Sequence, residues 1–205
     1  MVPKYRCYDA DGLHFLAVER FDRDADGLPL PMESLFSVIA TGDHHFRETG
    51  DILLDELGGI LSRLHDVAEL AADTHEQLYQ RILMALLTGN GDLHLDNLAL
   101  LGGLDDCRLA PVYDPAPMRA WPRHNLVSAI PFDPSPHPDH GEYFAIMGRR
   151  FGLTKVRSRR CIEAALAATS NYPEQVMALE RVPEAQRSQL AGIARRERTL
   201  LEAHA

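Results

Sequence analysis

Asp92 and Asn97 stand five residues apart in Gly89-Asn90-Gly91-Asp92-Leu93-His94-Leu95-Asp96-Asn97. A carboxylate and an amide at that spacing suit phosphoryl transfer. The carboxylate can orient an attacking hydroxyl and accept its proton, and the amide oxygen is a hard, neutral ligand for Mg²⁺. Such chemistry asks the protein mainly for positioning and for cations beside phosphate oxygens. A second metal ligand is expected from Asp114, which follows the short apolar run Leu109-Ala110-Pro111-Val112-Tyr113. With waters and phosphate oxygens, these side chains would complete an octahedral Mg²⁺ shell.

Other polar residues nearby carry plainer readings. Asp96 reads as a surface or capping carboxylate rather than a ligand. His94 is open to three roles: bracing the loop by a hydrogen bond, touching a nucleotide, or acting as a base. Asp105-Asp106 fall at an expected hairpin tip and should be solvated. His44-His45 and His137-Pro138-Asp139-His140 offer imidazoles without cysteine partners or helical spacing, so a metal site there is not expected.

These residues need a scaffold. A strand is expected over 13–20, a short helix over 32–40 and a helix from Asp51 to about Ala71, weakened by Gly58-Gly59. Thr74 and Gln77 form a capping-box pattern, and Leu78, Ile82, Ala85 and Leu86 then line one helical face. Thr88-Gly89-Asn90-Gly91 stops that helix, which places the Asp92 turn at its end. Residues 97–101 and 107–113 read as a hairpin joined by Gly102-Gly103-Leu104-Asp105-Asp106. Seven of the thirteen prolines lie in 115–141, which should be irregular loop. Helices follow at about 142–151, 158–170, 173–181 and 183–204, with Ser158 and Pro183 as candidate starts. The fold class is therefore mainly α with a small β-hairpin, an α+β chain.

At 205 residues the chain can bury one substantial core. No apolar run is long enough to cross a bilayer, and the N-terminus lacks the apolar stretch of a secretory signal. Three scattered cysteines (Cys7, Cys107, Cys161) form neither a disulfide framework nor a zinc pattern. A cytoplasmic protein is expected. The net charge of −9 argues against broad nucleic-acid binding. The basic stretches Arg149–Arg160 and Ala194–Arg198 read as solvated helix faces.

Four features in order resemble the HipA family of bacterial serine/threonine kinase-type toxins. They are Leu16-Ala17-Val18-Glu19-Arg20-Phe21-Asp22-Arg23, the Gly89–Asn97 turn, Leu109-Ala110-Pro111 with Tyr113-Asp114, and Arg149–Leu153 within a helical final third. The resemblance covers the chain from about Leu13 onward. It implies the helical C-terminal lobe of a divergent protein-kinase-like fold, with 1–28 as a hinge strand left from the N-terminal lobe and 29–205 as the lobe itself. That lobe would carry a catalytic loop at 89–97 and a metal-binding loop at 109–115. It implies Asp92 as catalytic base, Asn97 and Asp114 as Mg²⁺ ligands, and Glu19 and Phe21 as hinge residues meeting the adenine of ATP. His94 and Tyr113 complete the expected nucleotide contacts.

The family also implies a toxin–antitoxin setting, with a protein substrate such as an aminoacyl-tRNA synthetase and a DNA-binding antitoxin as partner. Its phosphate-covering loop and nucleotide-binding lysine precede the hinge, where this chain offers only Lys4. The sequence thus reads as a lobe plus hinge that needs an N-terminal lobe, supplied elsewhere, for activity. Two other functions fit parts of the pattern. One is a small-molecule phosphotransferase of the aminoglycoside- or choline-kinase kind; the other is a non-catalytic module that binds a partner.

Overall fold

Turn residues and apolar periodicity divide the chain into an exposed hairpin, a small sheet and a helical body. A computed structural model describes residues 1–205. The elements are β1 (Tyr5–Ala10), β2 (Leu13–Val18), β3 (Met32–Ser34), α1 (Leu35–Ala40), α2 (Leu57–Leu64), α3 (Thr74–Thr88), β4 (Ala99–Leu101), β5 (Arg108–Leu109), α4 (His140–Arg150), α5 (Lys155–Ala168), α6 (Tyr172–Met177) and α7 (Glu184–Glu202). The architecture is α+β, as expected. No helix is long and apolar enough to cross a membrane.

α3 is the centre of the core. Leu78, Tyr79, Ile82, Leu83, Leu86 and Leu87 on it are all buried, each leucine contributing about 1.5–3 kcal/mol by leaving water. It packs against α4, α5 and α7. Gly89 ends it at a left-handed φ of 68°, and its N–H closes on the Ala85 and Leu86 carbonyls. The expected capping box at the other end is absent. Thr74 donates its hydroxyl to the Ala71 carbonyl at 2.7 Å, and the Gln77 amide reaches the Asp73 carboxylate at 2.7 Å.

The sheets differ from expectation in three places. β1 was not foreseen; it pairs antiparallel with β2 across Asp11-Gly12, both at positive φ, a turn that matches strand twist. Residues 32–34 form a strand rather than the start of a helix, because Met32–Ser34 pair with Ala99–Leu101, and Ser34 then caps α1. The third strand is shorter than 107–113. β5 ends at Leu109, and Ala110 makes one last bond to the Ala99 carbonyl at 2.8 Å before Pro111 removes a donor.

The expected helix over 51–71 is interrupted. Ile52 is extended and buried, α2 stops at Leu64, and Ala71 and Cys107 pair through the backbone, which the helix would forbid. Ser158 is no helix start; it is buried inside α5, whose cap is Thr154, accepting from the Arg157 N–H at 3.2 Å. α4 begins at His140, two residues early, because Asp139 caps it. α6 ends at Met177, short of the expected 181.

Gly58-Gly59 does not break α2, and the two glycines have different reasons. A Cβ on Gly58 would collide with the Arg150 carbonyl at the end of α4, whereas one on Gly59 meets nothing nearer than Arg63 Nη1 at 3.7 Å. Gly58→Ala should therefore destabilise the protein by about 1–3 kcal/mol, an overpacking cost. Gly59→Ala should stabilise it by about 0.5–1 kcal/mol, the helix penalty of glycine. Urea unfolding of both variants checks the pair.

Candidate active site

The Asp92 turn hangs from the C-terminal end of α3. Leu93 and Leu95 are buried in the core, which holds the backbone while His94 between them and Asp92 and Asp96 on either side stay accessible. Asn90 accepts the Asp92 N–H at 3.0 Å, Asn97 donates its amide to the Asp92 carbonyl at 2.9 Å, and the His94 N–H bonds that same carbonyl at 2.8 Å. His94 Nδ1 accepts from the Asp96 N–H at 3.2 Å and caps the short turn Leu95–Asn97. Of its three readings, loop bracing is the one with a visible partner. Asp96 accepts from the Ser34 hydroxyl at 2.9 Å, which makes its carboxylate a clamp onto α1.

The 109–115 segment is fastened to this turn on both sides of Asp114. Before it, the Tyr113 hydroxyl donates to the Asp96 carbonyl at 2.6 Å; burial, then the Asp96 charge, raise its pKa and keep that proton in place. After it, the Ala116 N–H reaches Asn90 Oδ1 at 3.4 Å. Asp114 itself is exposed with φ at 48°, a left-handed backbone that aspartate tolerates better than most residues. No protein hydrogen bond uses the carboxylates of Asp92 or Asp114, and the Asn97 amide oxygen is neither bonded nor sealed from solvent. These are hard oxygens of the kind Mg²⁺ takes. No cluster of three His, Cys, Asp or Glu side chains is placed to hold a metal. His137 and His140 instead face Glu142 and Glu197, and His45 faces Asp43.

Glu19, Phe21, Tyr113 and Asp114 line one open cleft of about 580 Å³, with Leu16 and Val18 on its floor. Phe21 and Tyr113 stand with ring centroids 6.0 Å apart. The backbone N–H and C=O of Phe21 make no bond within the chain. The cleft thus joins the segment after β2 to the segment carrying Asp114. Asp92, Asn97 and His94 are not among its walls.

A family model described as the HipA-like C-terminal domain matches residues 1–173. The chain belongs to the HipA family. It is similar to HipA of Shewanella oneidensis MR-1, solved in complex with HipB and operator DNA, with a TM-score of 0.66 and 19% identity. The match covers 99% of this chain and 51% of that one, so the chain spans about half the length of that HipA. At such identity the likeness is one of fold. No curated protein matches the chain.

Beneath the Asp92 turn lies a support that the sequence reading missed. Arg119, from the proline-rich loop, and Glu197, from α7, are 1% and 0% exposed and pair at 2.7 Å. His140 reaches the second Glu197 oxygen, and Arg119 Nε donates to Asn125 Oδ1 at 3.0 Å. The Arg119 N–H bonds the Gly89 carbonyl at 3.3 Å, and its side chain runs so close to Gly91 that a Cβ there would meet Arg119 Cγ at 3.2 Å. A signal did exist for Glu197. It falls in register with Leu190, Ile193, Ala194 and Leu201, the buried stripe of α7, although Ala194–Arg198 reads as solvated. Arg119 carries no comparable signal.

Burial raises the Glu197 pKa, but the His140 hydrogen bond and the Arg119 charge outweigh it and the value lies below the ordinary 4.5. A lowered folded-state pKa stabilises the protein fully above the unfolded value and loses that contribution as pH falls through the folded one. Glu197→Gln should cost about 3–5 kcal/mol at pH 7, by leaving Arg119 uncompensated. The gap to the wild type should narrow below pH 4.5, in urea unfolding from pH 7 to 3.

Proposed function

We propose that this chain is the catalytic lobe of a HipA-type serine/threonine protein kinase, a toxin of a toxin–antitoxin pair. It would bind ATP with Mg²⁺ and direct the γ-phosphate to a protein hydroxyl. One observation carries the reading: three hard oxygen donors without protein partners stand on two turns that Asn90 and Tyr113 tie together. Asn97 and Asp114 would hold Mg²⁺, which neutralises phosphate charge when bound. Asp92 would orient the substrate hydroxyl and accept its proton. Glu19 and Phe21 would meet the adenine along the unused Phe21 backbone, with Tyr113 behind it. His94 would act through the turn by holding its shape.

Partners follow the same reading. β1 and β2 expose Tyr5, Tyr8, Leu13, Phe15, Leu16 and Val18, more apolar surface than a free two-stranded hairpin tolerates. An N-terminal lobe, in the same protein or a separate chain, would cover it. The Shewanella HipA was solved with HipB and DNA; a DNA-binding antitoxin would restrain this kinase too. An aminoacyl-tRNA synthetase is the substrate class that the family suggests. A cytoplasmic location fits these partners.

The test is transfer of label from ATP to protein by this lobe together with an N-terminal lobe. Asp92→Asn should lower it by about 10²–10⁴-fold, the usual worth of a positioned base. Asp114→Gly separates function from folding. It should relieve the left-handed backbone and leave thermal stability equal or higher by about 1 kcal/mol. The same variant should lose the rise in Tm that ATP and Mg²⁺ give the parent. Label on an amino sugar or amino alcohol instead of protein would point to a small-molecule phosphotransferase. Loss of transfer in neither variant would sink the kinase reading.

A further inference from the structure

One face of α3 turns away from the core and walls a second cavity of about 330 Å³. Gln77, Arg81, Met84 and Thr88 recur along it at helical spacing, and Val112 and Leu93 close it from other segments. Arg81 is 8% exposed. Its Nη2 donates to the Ala110 carbonyl, while its Nη1 is buried without any partner. No carboxylate lines the cavity. Buried charges are ordinarily paired, and a guanidinium with an unpartnered donor and no carboxylate beside it lacks its counter-charge. Burial accordingly lowers its pKa to about 10.

We propose that the Arg81 cavity is a binding site for a small organic anion, with a carboxylate or phosphate head on the guanidinium and an apolar body against Met84, Leu93 and Val112. The Gln77 and Gln80 amides, which also line the cavity, donate elsewhere, to the Asp73 carboxylate and the Cys161 sulfur. The guanidinium is therefore the site's anchor, and the apolar walls favour an organic anion over a bare inorganic one. The cavity meets the cleft holding Glu19, Phe21 and Asp114 along Val2, Val112 and Pro115, and Asn90 and Asn97 bring the Asp92 turn to its edge, but Arg81 lies outside the catalytic set proposed above. It also differs in character, since a buried cation and no carboxylate line it whereas the cleft offers the carboxylates of Glu19 and Asp114. Its binding does not depend on the kinase reading.

The full protein is titrated with benzoate, acetate and inorganic phosphate at fixed ionic strength with chloride as background, reading Tm and heat. Benzoate should bind saturably and raise Tm by several degrees through linkage, acetate more weakly for want of an apolar body. Arg81→Gln should abolish the saturable shift. Gln77→Glu guards against misfolding of that variant. It sets an internal carboxylate one turn before Arg81, the favourable order for a helical pair, and should raise Tm without ligand while removing the benzoate effect. Asp92→Asn should leave benzoate binding intact, so that loss of transfer and loss of anion binding are told apart. Equal shifts in wild type and Gln77→Glu, or no saturable binding of any probe, would overturn the proposal. So would a benzoate shift erased by saturating ATP, which would assign the charge to the nucleotide cleft.

Discussion

The contact between Arg119 and Glu197 is the constraint on which the rest of the site depends. It is a buried ion pair, and taking both charges out of water costs more than a surface pair ever returns. Its use here is geometric. Arg119 leaves an irregular, proline-rich loop, passes under Gly91 and ends on a carboxylate of the last long helix. The Arg119 backbone bonds the residue that caps α3. Three segments with no sequence proximity are thereby locked at the underside of one turn. A hydrophobic contact would hold them together without fixing the angle, because dispersion and burial are not directional. Hydrogen bonds to both Glu197 oxygens are directional, and they set where the turn sits relative to α7.

Above that support the site is built from backbone rather than from side-chain packing. Asn90 and Asn97 use their amides to hold the peptide units around Asp92, and His94 uses its ring nitrogen on the next turn. The outward oxygens are left free because everything that shapes the loop is done by other atoms. Asp114 shows the same division. Tyr113 and Ala116 anchor its flanks, and the left-handed backbone between them turns the residue to the surface. A strained conformation of this kind persists only where neighbours over-determine it. Here both neighbours do so, through hydrogen bonds to the other loop.

Much of this was legible in the residues. α3, its glycine stop and the polar turn beyond it follow from helical spacing and from the few residues that accept φ above zero. The proline-rich stretch reads as loop, and it holds two single-turn 3₁₀ helices, Met118–Ala120 and Pro122–His124, and a turn closed by the His137 N–H on the Pro134 carbonyl. What escaped were pairings between distant segments. Met32–Ser34 is a strand only because Ala99–Leu101 lies beside it, and the 51–71 segment gives up its helix where distant backbone offers partners, Pro131 to Leu54 and Cys107 to Glu69 and Ala71. Nothing local encodes either choice. β1 is the exception, since Asp11-Gly12 between two β-favouring runs is a local hairpin signal that went unread.

Charged residues on helices were the harder case. Glu197 and Arg81 both occupy helices whose polar residues look solvated, and both are buried for opposite reasons. Glu197 sits among cations that hold it ionised, so its burial pairs opposite charges even though Arg119 Nη1 is left without a partner. Arg81 meets a single carbonyl and lines a cavity without a carboxylate, so its burial leaves a network open. Helical register separates a buried position from an exposed one, but it is blind to whether the partner exists within the chain. A buried charge in register with an apolar stripe therefore points to a folding element when its counter-charge is present. When the counter-charge is missing and a cavity lies in front of the group, the same observation points to a ligand.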